Sequence, residues 1–256
     1  MESLIDANCW LGSWPFQVFT HNSAAALAEH LASEEITTAL VSPTEAILHP
    51  DPNIFNDLLI NTVEDYPLLK PVPVVNPTLA NWKTSMAIYA STDNVHSIRI
   101  LPNYHNYSLN APCVRELMMI LAELAMPLMI QIRMEDERSQ YPLMQVAGVS
   151  CDEIIELAER FPDVSIICLG AYFNEAIGLL LNSWNVYVDI SFIDKINTLN
   201  SLLERTTHDR IVFGSHTPFF YTRSAVLKAD TGGILPDAAR AIISENISLL
   251  LSGERP

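Results

Sequence analysis

Short β-branched segments alternate with helical segments along the whole chain, and this alternation constrains the fold most. Each segment is about 5–8 residues long, as buried strands are. The eight strand-like segments are LIDANCWLG, ITTALVSP, LKPVPVVNP, VHSIRILPNY, PLMIQIRM, VSIICLGAY, VYVDISF and RIVFGSHTPF. Eight strands separated by helices predict a closed (β/α)8 barrel, the TIM barrel, in a single domain over residues 1–256. An open, doubly wound sheet is the rival, but NCWLGSWP lacks the glycine-rich turn usual after its first strand.

The segments between the strands carry helix signals. Asn22 and Ser23 are capping residues before AAALAEHLASEE, and Gly253 follows the last helical segment. The segment NIFNDLLINTVEDYP places Ile54, Leu58, Leu59 and Val63 at helical spacing, which predicts that they share a buried face. The longest irregular stretch, residues 135–148, follows the fifth strand, where barrels of this kind place active-site loops.

Composition excludes several classes of protein. The 256 residues carry a formal charge of −16, which disfavours binding to a phosphate backbone. No apolar run reaches the ~18 residues of a membrane span, and no signal peptide is evident at the N-terminus. The four cysteines are scattered without CxxC spacing, which favours a reducing, cytoplasmic compartment. We therefore expect a cytoplasmic protein that binds neither nucleic acid nor membrane.

Polar side chains occur at the carboxyl ends of the predicted strands. Those ends meet at one face of a barrel, here called the barrel mouth, where such folds build their active sites. The candidate site residues are Asn8 and Trp10 from the first strand, Arg99, Asn103 and His105 from the fourth, Gln131, Arg133 and Arg138 from the fifth, and His216 from the eighth. We expect them to share one pocket.

The three arginines of this set fall at two neighbouring strand ends of an acidic chain. Arg133 lies between apolar neighbours, where a charged guanidinium is costly unless it is paired. One interpretation is an internal ion pair with Asp6, Glu135 or Asp189. The other is that the arginines bind a small anion, because the guanidinium fork fits carboxylate or phosphate.

Several of these segments resemble the amidohydrolase superfamily, in particular its amidohydrolase-related branch of metal-dependent barrel hydrolases. LIDANCWLG resembles the family's first strand, I-D-x-H-x-H-L-G, and IVFGSHTPFF resembles its eighth, L-F-G-S-D-Y-P-F. IRILPNYHNYSL is similar to the fourth-strand segment G-(I/V)-(K/R)-L-x-P, and NVYVDIS is similar to the seventh strand. The similar segments occur in the same order along the whole chain. The similarity is most specific in the first and eighth strands.

The same resemblance implies that every metal-ligand position of the family is substituted here. The family's ligands fall on Asn8 and Trp10 in the first strand, near Gln131 in the fifth, near Cys168 or Leu169 in the sixth, and on His216 in the eighth. We therefore expect no bound metal. The alternative is a divalent cation such as Zn²⁺ held by His105 and His216 with an aspartate. The remaining histidines are interpreted as surface or capping residues: His21, His30, His49, His96 and His208.

Two functions fit these residues. The first is a metal-independent hydrolase or lyase that acts on a small carboxylated molecule. His216 titrates near neutrality and takes the place of the proton-handling aspartate, so it is the candidate general acid or base. Gln131 and Asn8 would stabilise developing negative charge, while the arginines hold the carboxylate. The second is a catalytically inactive protein of this fold that binds a small anionic ligand. A carboxylate that orients His216 would favour catalysis, and an apolar surround would favour a buried structural histidine.

The aromatic residues Trp10, Trp14 and Phe16 lie in the segment CWLGSWPF, which covers the end of the first strand and the residues after it. They either cover the barrel mouth as a lid or contact a partner, because tryptophan often anchors interfaces. The sequence leaves the substrate and a homo-oligomeric state open.

Overall fold

Eight parallel strands form the centre of the computed structural model, which describes residues 3–143, 145–229 and 234–256. The strands are β1 Ile5–Leu11, β2 Thr38–Pro43, β3 Leu69–Pro71, β4 Ile98–Ile100, β5 Leu128–Gln131, β6 Ile166–Leu169, β7 Val186–Asp189 and β8 Ile211–Val212. Each lies within one of the eight segments that the sequence predicts. Regular ladders join β1 to β3 and β4 to β8 in sequential order.

Two seams close these ladders into a barrel. At the first seam, Trp10 N–H donates to the Thr217 carbonyl and His216 N–H donates to the Asn8 carbonyl, both at 2.8 Å. At the second, Arg99 N–H donates to the Pro73 carbonyl at 2.8 Å. The first and last strands therefore pair, which confirms the predicted closed (β/α)8 barrel.

Helices surround the barrel and alternate with its strands. They are α1 Ala24–Ser33, α2 Asn53–Val63, α3 Trp82–Ala90, α4 Pro112–Leu124, α5 Cys151–Arg160, α6 Phe173–Asn182, α7 Thr198–Leu203, α8 Thr222–Ala229, α9 Pro236–Arg240 and α10 Asn246–Leu251. Short 3₁₀ segments cover Thr44–Ile47 and His208–Arg210, and a π-helical turn, Ala241–Glu245, joins α9 to α10. Along the part of the chain that the structure describes, no helix is long and apolar enough to cross a membrane.

The buried face of α2 differs from the predicted one. Ile54 and Leu58 are 61% and 63% exposed, whereas Asn56, Leu59 and Val63 are buried. Asn56 is turned inward because its side chain pairs with the Val74 backbone: Nδ2 donates to the carbonyl at 2.8 Å, and Oδ1 accepts from the N–H at 2.9 Å. The hydrogen bonds of this buried amide therefore decide which face of α2 is buried, rather than the spacing of its apolar residues.

The strands are shorter than the predicted segments, and this moves candidate site residues onto loops. β5 ends at Gln131, so Arg133 lies in the loop after it, and β8 ends at Val212, four residues before His216. The stretch 135–148 contains neither helix nor strand in its described residues, and Met144 lies outside them. The barrel mouth is therefore built mainly from loop residues.

Asn185, just before β7, offers a test of the packing between α5 and the barrel. Its buried Nδ2 donates to the carbonyls of Ala158, Phe161 and Val164 at 3.2, 3.1 and 2.9 Å. We expect Asn185→Ala to lower the free energy of unfolding by about 1–3 kcal/mol, because it leaves buried carbonyls without a donor. Urea unfolding measures the change. The exposed Asn182→Ala is the control, and an equal loss in both variants would contradict the argument.

Candidate functional site

Three charged side chains are fully buried in the barrel mouth: Asp6, Arg99 and Asp189. The Asn8 side chain joins two of them, since its Nδ2 donates to Asp189 Oδ2 at 2.9 Å and its Oδ1 accepts from Arg99 Nη1 at 3.3 Å. Asp6 Oδ1 accepts the backbone N–H groups of Asn8 and Ser215 at 3.0 and 2.9 Å. Asn8, expected to assist catalysis, is therefore committed to this internal network.

Burial sets the protonation of these groups. It raises the pKa of both Asp6 and Asp189, and their hydrogen bonds offset the rise only in part. It lowers the pKa of Arg99 to about 9, so this guanidinium remains charged at neutral pH. The Arg99 Cζ lies 4.3 Å from the centre of the Trp10 ring, a cation–π contact that compensates some of the lost hydration.

His216 is fully buried and surrounded by aromatic rings. Its ring centre lies 5.0 Å from those of Phe192 and Phe219 and 5.2 Å from that of Phe220. Nε2 bonds to the Met134 carbonyl at 2.8 Å, while Nδ1 has no hydrogen-bond partner among the described residues. Burial lowers the pKa of His216 to about 3, so the imidazole is neutral at physiological pH. The imidazole is therefore surrounded by apolar rings, not oriented by a carboxylate as a catalytic base would be.

Arg133 forms the internal ion pair that one interpretation predicted, but its partner is Glu175. The pair is bidentate, with Nη1–Oε2 and Nη2–Oε1 distances of 2.6 and 2.7 Å, and the guanidinium stacks 3.8 Å from the centre of the Tyr172 ring. Burial would lower the pKa of Arg133, but Glu175 raises it. The fork proposed to clamp a carboxylate is therefore already occupied.

Asn103, His105 and Arg138 are held by local contacts. Asn103 Nδ2 donates to the Ile132 and Ala147 carbonyls at 3.0 and 2.9 Å, and His105 Nε2 bonds to the Ala46 carbonyl at 3.0 Å. The exposed Arg138 pairs with Asp136 at 2.6 Å. These bonds fix Asn103 to the loop after β5, His105 to the segment after β2 and Arg138 to its own loop, and none of the three is hydrogen-bonded to His216.

Gln131 and Gly214 lie close to the buried network. Gln131 Nε2 donates to the Arg133 carbonyl at 2.8 Å, and its buried Oε1 has no partner among the described residues. A Cβ at Gly214 would lie 2.5 Å from Asp189 Oδ2, so this glycine makes room for the buried carboxylate.

An open cleft of about 360 Å³ lies beside the sealed centre, and we call it the mouth cleft. Phe192, Phe219 and Phe220 form its apolar wall, and these rings separate it from His216. The half-buried Lys228, from α8, also lines the cleft, and its Nζ donates to the Ser191 carbonyl at 3.0 Å. Burial lowers the pKa of Lys228, against the opposing effect of Asp194 and Asp189. Among its described lining residues the cleft thus offers the cation of Lys228, the acidic side chains of Asp136 and Asp194, and several rings.

The donors in the mouth do not suit the divalent metal that the resemblance implies. Within residues 3–143, 145–229 and 234–256, no three histidine, cysteine or acidic side chains converge as a cation site. Trp10 offers only an N–H donor, the Asn8 oxygen already accepts from Arg99, and the charge of that guanidinium repels a second cation. The alternative site of His105, His216 and an aspartate is likewise not assembled.

The sequence missed Lys228 because it lies on a helix rather than at a strand end. It also interpreted His30 as a surface or capping residue; the imidazole is partly buried, and its Nε2 bonds to the buried Thr222 hydroxyl at 2.7 Å. Neither position carries a periodic or motif signal. Both contacts depend on where α1 and α8 lie relative to the loop after β8.

The neutral state of His216 predicts a pH-dependent stability. As pH falls from 6.5 towards 3, the His216 imidazole binds a proton in the unfolded state but not in the folded state. The free energy of unfolding therefore falls by up to ~1.4 kcal/mol per pH unit. His216→Asn should flatten this part of the profile, and asparagine tolerates the positive φ of 60° at this position. Urea unfolding from pH 4 to 7 measures the slope. The exposed His96→Asn is the control, and an unchanged slope in His216→Asn would contradict the burial argument.

The sequence matches no protein-family model and no curated protein. Solved structures are similar to it in fold. A 5-carboxyvanillate decarboxylase from Sphingomonas paucimobilis has a TM-score of 0.78 at 14% identity, over 98% of this chain and 99% of that one. A dihydroxybenzoic acid decarboxylase from a Polaromonas species, solved with manganese and the inhibitor 2-nitroresorcinol, has a TM-score of 0.77 at 12% identity, over 98% and 97%.

A proposed amidohydrolase from Staphylococcus aureus is similar in the same way, with a TM-score of 0.76 at 13% identity over 98% and 99% of the two chains. The likeness therefore extends over the whole length of these barrels, although the sequences have diverged widely. It agrees with the strand order and the closed seams described above. The comparisons therefore confirm the predicted fold: this chain has a (β/α)8 barrel similar to the barrels of these proteins.

Proposed function

We propose that this chain, as one barrel domain over residues 1–256, binds a small carboxylated aromatic molecule in the mouth cleft without using a metal. The observation that carries the proposal is that Lys228 lines the same cleft as three phenylalanine rings. In the part of the chain that the structure describes, no carboxylate lies within ion-pair distance of its ammonium group. A ligand carboxylate would supply that partner.

The dimensions and chemistry of the cleft suit such a ligand. Small-molecule sites are typically concave, mostly apolar and about 300–1,000 Å³ in volume, with a few placed polar groups. A cleft of about 360 Å³ is at the small end of that range. The Phe192 and Phe220 rings offer faces for an aromatic ring, and the structurally similar decarboxylases are named for small aromatic carboxylates.

We favour binding over catalysis because the polar groups at the centre of the barrel are bonded to other protein groups. Asn8 joins Arg99 to Asp189, and Arg133 is neutralised by Glu175. His216, the candidate general base, is kept from the cleft by three rings and is too weak a base at neutral pH. This is the arrangement expected of an enzyme fold whose reaction has been lost.

A lyase remains the second candidate, and one observation favours it. His216 Nδ1 is a buried, unprotonated nitrogen without a partner among the described residues. Such groups are rare in folded proteins and often have a functional explanation. Movement of Phe219 or Phe220 would open a path from the mouth cleft to this nitrogen. The second function is then metal-independent removal of a carboxyl group, with His216 in proton transfer and Gln131 beside it.

Replacing Lys228 tests the binding proposal. We expect Lys228→Met to weaken benzoate binding about tenfold or more, because it removes a charge-assisted hydrogen bond, and to leave benzyl alcohol binding nearly unchanged. Isothermal titration calorimetry measures both affinities. Lys83→Met, at an exposed lysine that pairs with Glu116, is the matched control. Equal benzoate affinity in both variants would refute the role of Lys228.

Activity assays separate the two candidate functions. The binding proposal predicts no carbon dioxide release from 2,6-dihydroxybenzoate or 5-carboxyvanillate, whether manganese is added or chelated, because neither a metal site nor an accessible base is assembled. Turnover that persists with chelator and disappears in His216→Asn, while binding is retained, would establish the lyase instead. Turnover that requires manganese, together with manganese retained through dialysis, would overturn the metal-free proposal.

A further inference from the structure

The charged residues that line the mouth cleft are of both signs. Lys228 lies there together with Asp136 and Asp194, beside the phenylalanine rings. A ligand whose only charge is a carboxylate can pair with Lys228 and with neither aspartate. The partners that the two aspartates already have within the protein therefore decide which further group a ligand needs.

Asp136 already has its counter-ion. Its Oδ1 accepts from Arg138 Nε at 2.9 Å and its Oδ2 accepts from Arg138 Nη2 at 2.6 Å. The hydrogen bond from Arg138 lowers the pKa of Asp136 to about 2, so the carboxylate stays ionised at neutral pH and the two charges offset each other. Asp136 therefore does not require a cation from a ligand.

Asp194 is the exposed acidic residue of the cleft, in the loop between β7 and α7. Among the residues that the structure describes, no lysine, arginine or histidine nitrogen lies within ion-pair distance of its carboxylate, about 4 Å. Its charge still acts on Lys228: burial lowers the pKa of that ammonium group, and Asp194 is the strongest of the groups that oppose the fall. Lys228 and Asp194 are therefore neighbours in the cleft that do not contact each other.

The rings of the cleft favour an ammonium group over a second anion. The faces of an aromatic ring carry partial negative charge, so they attract a cation. The ring centres of Phe192 and Phe220 lie 4.6 Å apart, and Tyr221, which also lines the cleft, is 89% exposed. A ligand that contains both a ring and an ammonium group therefore suits this wall.

The charge of the whole chain acts in the same direction. The formal charge of −16 creates a field that disfavours the approach of an anion such as benzoate. A zwitterion has no net charge, so it can bring a carboxylate to Lys228 without that penalty. In an α-amino acid the two charged groups are attached to the same carbon, and they can bridge two side chains that are close without being in contact.

We propose that the ligand of the mouth cleft is an aromatic α-amino acid, whose carboxylate binds Lys228 and whose ammonium group binds Asp194. Both charges of the cleft are then paired through the ligand, and the side-chain ring packs against the phenylalanine wall. Binding is non-covalent, and no bond of the ligand changes. The inference rests on the proposed function of the cleft and narrows its class of ligand.

Three probes that share a phenyl ring test the two charges separately. They are L-phenylalanine, 3-phenylpropionate, which lacks the ammonium group, and phenethylamine, which lacks the carboxylate. We expect wild type to bind phenylalanine about tenfold more tightly than either of the others, because each of them loses one charge-assisted hydrogen bond. Isothermal titration calorimetry at neutral pH and low ionic strength measures the three affinities.

Two substitutions assign the charges to residues. Asp194→Asn should weaken phenylalanine about tenfold, to the affinity of 3-phenylpropionate, and should not weaken 3-phenylpropionate itself. Lys228→Met should weaken phenylalanine and 3-phenylpropionate and leave phenethylamine nearly unchanged. Asp93→Asn, at an exposed aspartate in the segment before β4, is the matched control and should bind all three probes as wild type does. Because Asp194 and Asp93 are both exposed, neither change should disturb folding.

The outcomes distinguish this inference from the proposed function. If benzoate and 3-phenylpropionate bind through Lys228 but phenylalanine binds no more tightly, the amino-acid ligand is excluded and the binding function stands. Equal phenylalanine affinity in Asp194→Asn and Asp93→Asn would remove the role of Asp194 and the inference with it. If wild type binds none of the three carboxylates, the proposed function fails and the inference fails too.

Discussion

The hydrogen bonds of one amide, Asn8, hold the centre of the barrel together. Its side chain donates to Asp189 and accepts from Arg99, so a carboxylate and a guanidinium are joined without direct contact. A buried ion is costly unless its hydrogen-bonding groups are paired. The two Nη atoms of Arg99 are paired, with Asn8 Oδ1 and the Ala7 carbonyl, while its Nε has no partner among the described residues. The bare backbone of Gly214 and the Trp10 ring over Arg99 serve the same cluster. The position where the resembled family keeps a metal ligand therefore serves an internal salt network.

Because these polar groups are bonded to one another, the barrel mouth consists of a sealed centre and an open cleft. Phe192, Phe219 and Phe220 lie between them, with the neutral His216 on the inner side and Lys228 on the outer side. These rings separate the proposed ligand site from the His216 imidazole, which is why we propose a binding protein rather than an enzyme.

The sequence predicted the structure correctly where a repeated pattern of strands and helices is compatible with few folds. Eight alternating segments fit a closed barrel, and the shared carboxyl ends of parallel strands bring residues 91 positions apart, Asn8 and Arg99, into contact. It failed at α2, where the paired side chain of Asn56 turned Ile54 and Leu58 outward. It also placed Arg133 in the pocket without its partner, since nothing in the sequence links residue 133 to Glu175 on α6.

The sequence by itself determined the fold class and the end of the barrel at which polar groups gather. These follow from residue type and spacing along the chain. The tertiary structure decided which of those groups are free, because that depends on partners brought together from distant segments. Rings from two loops sealed His216, Glu175 neutralised Arg133, and the positions of α1 and α8 beside the loop after β8 placed His30 and Lys228 on two clefts.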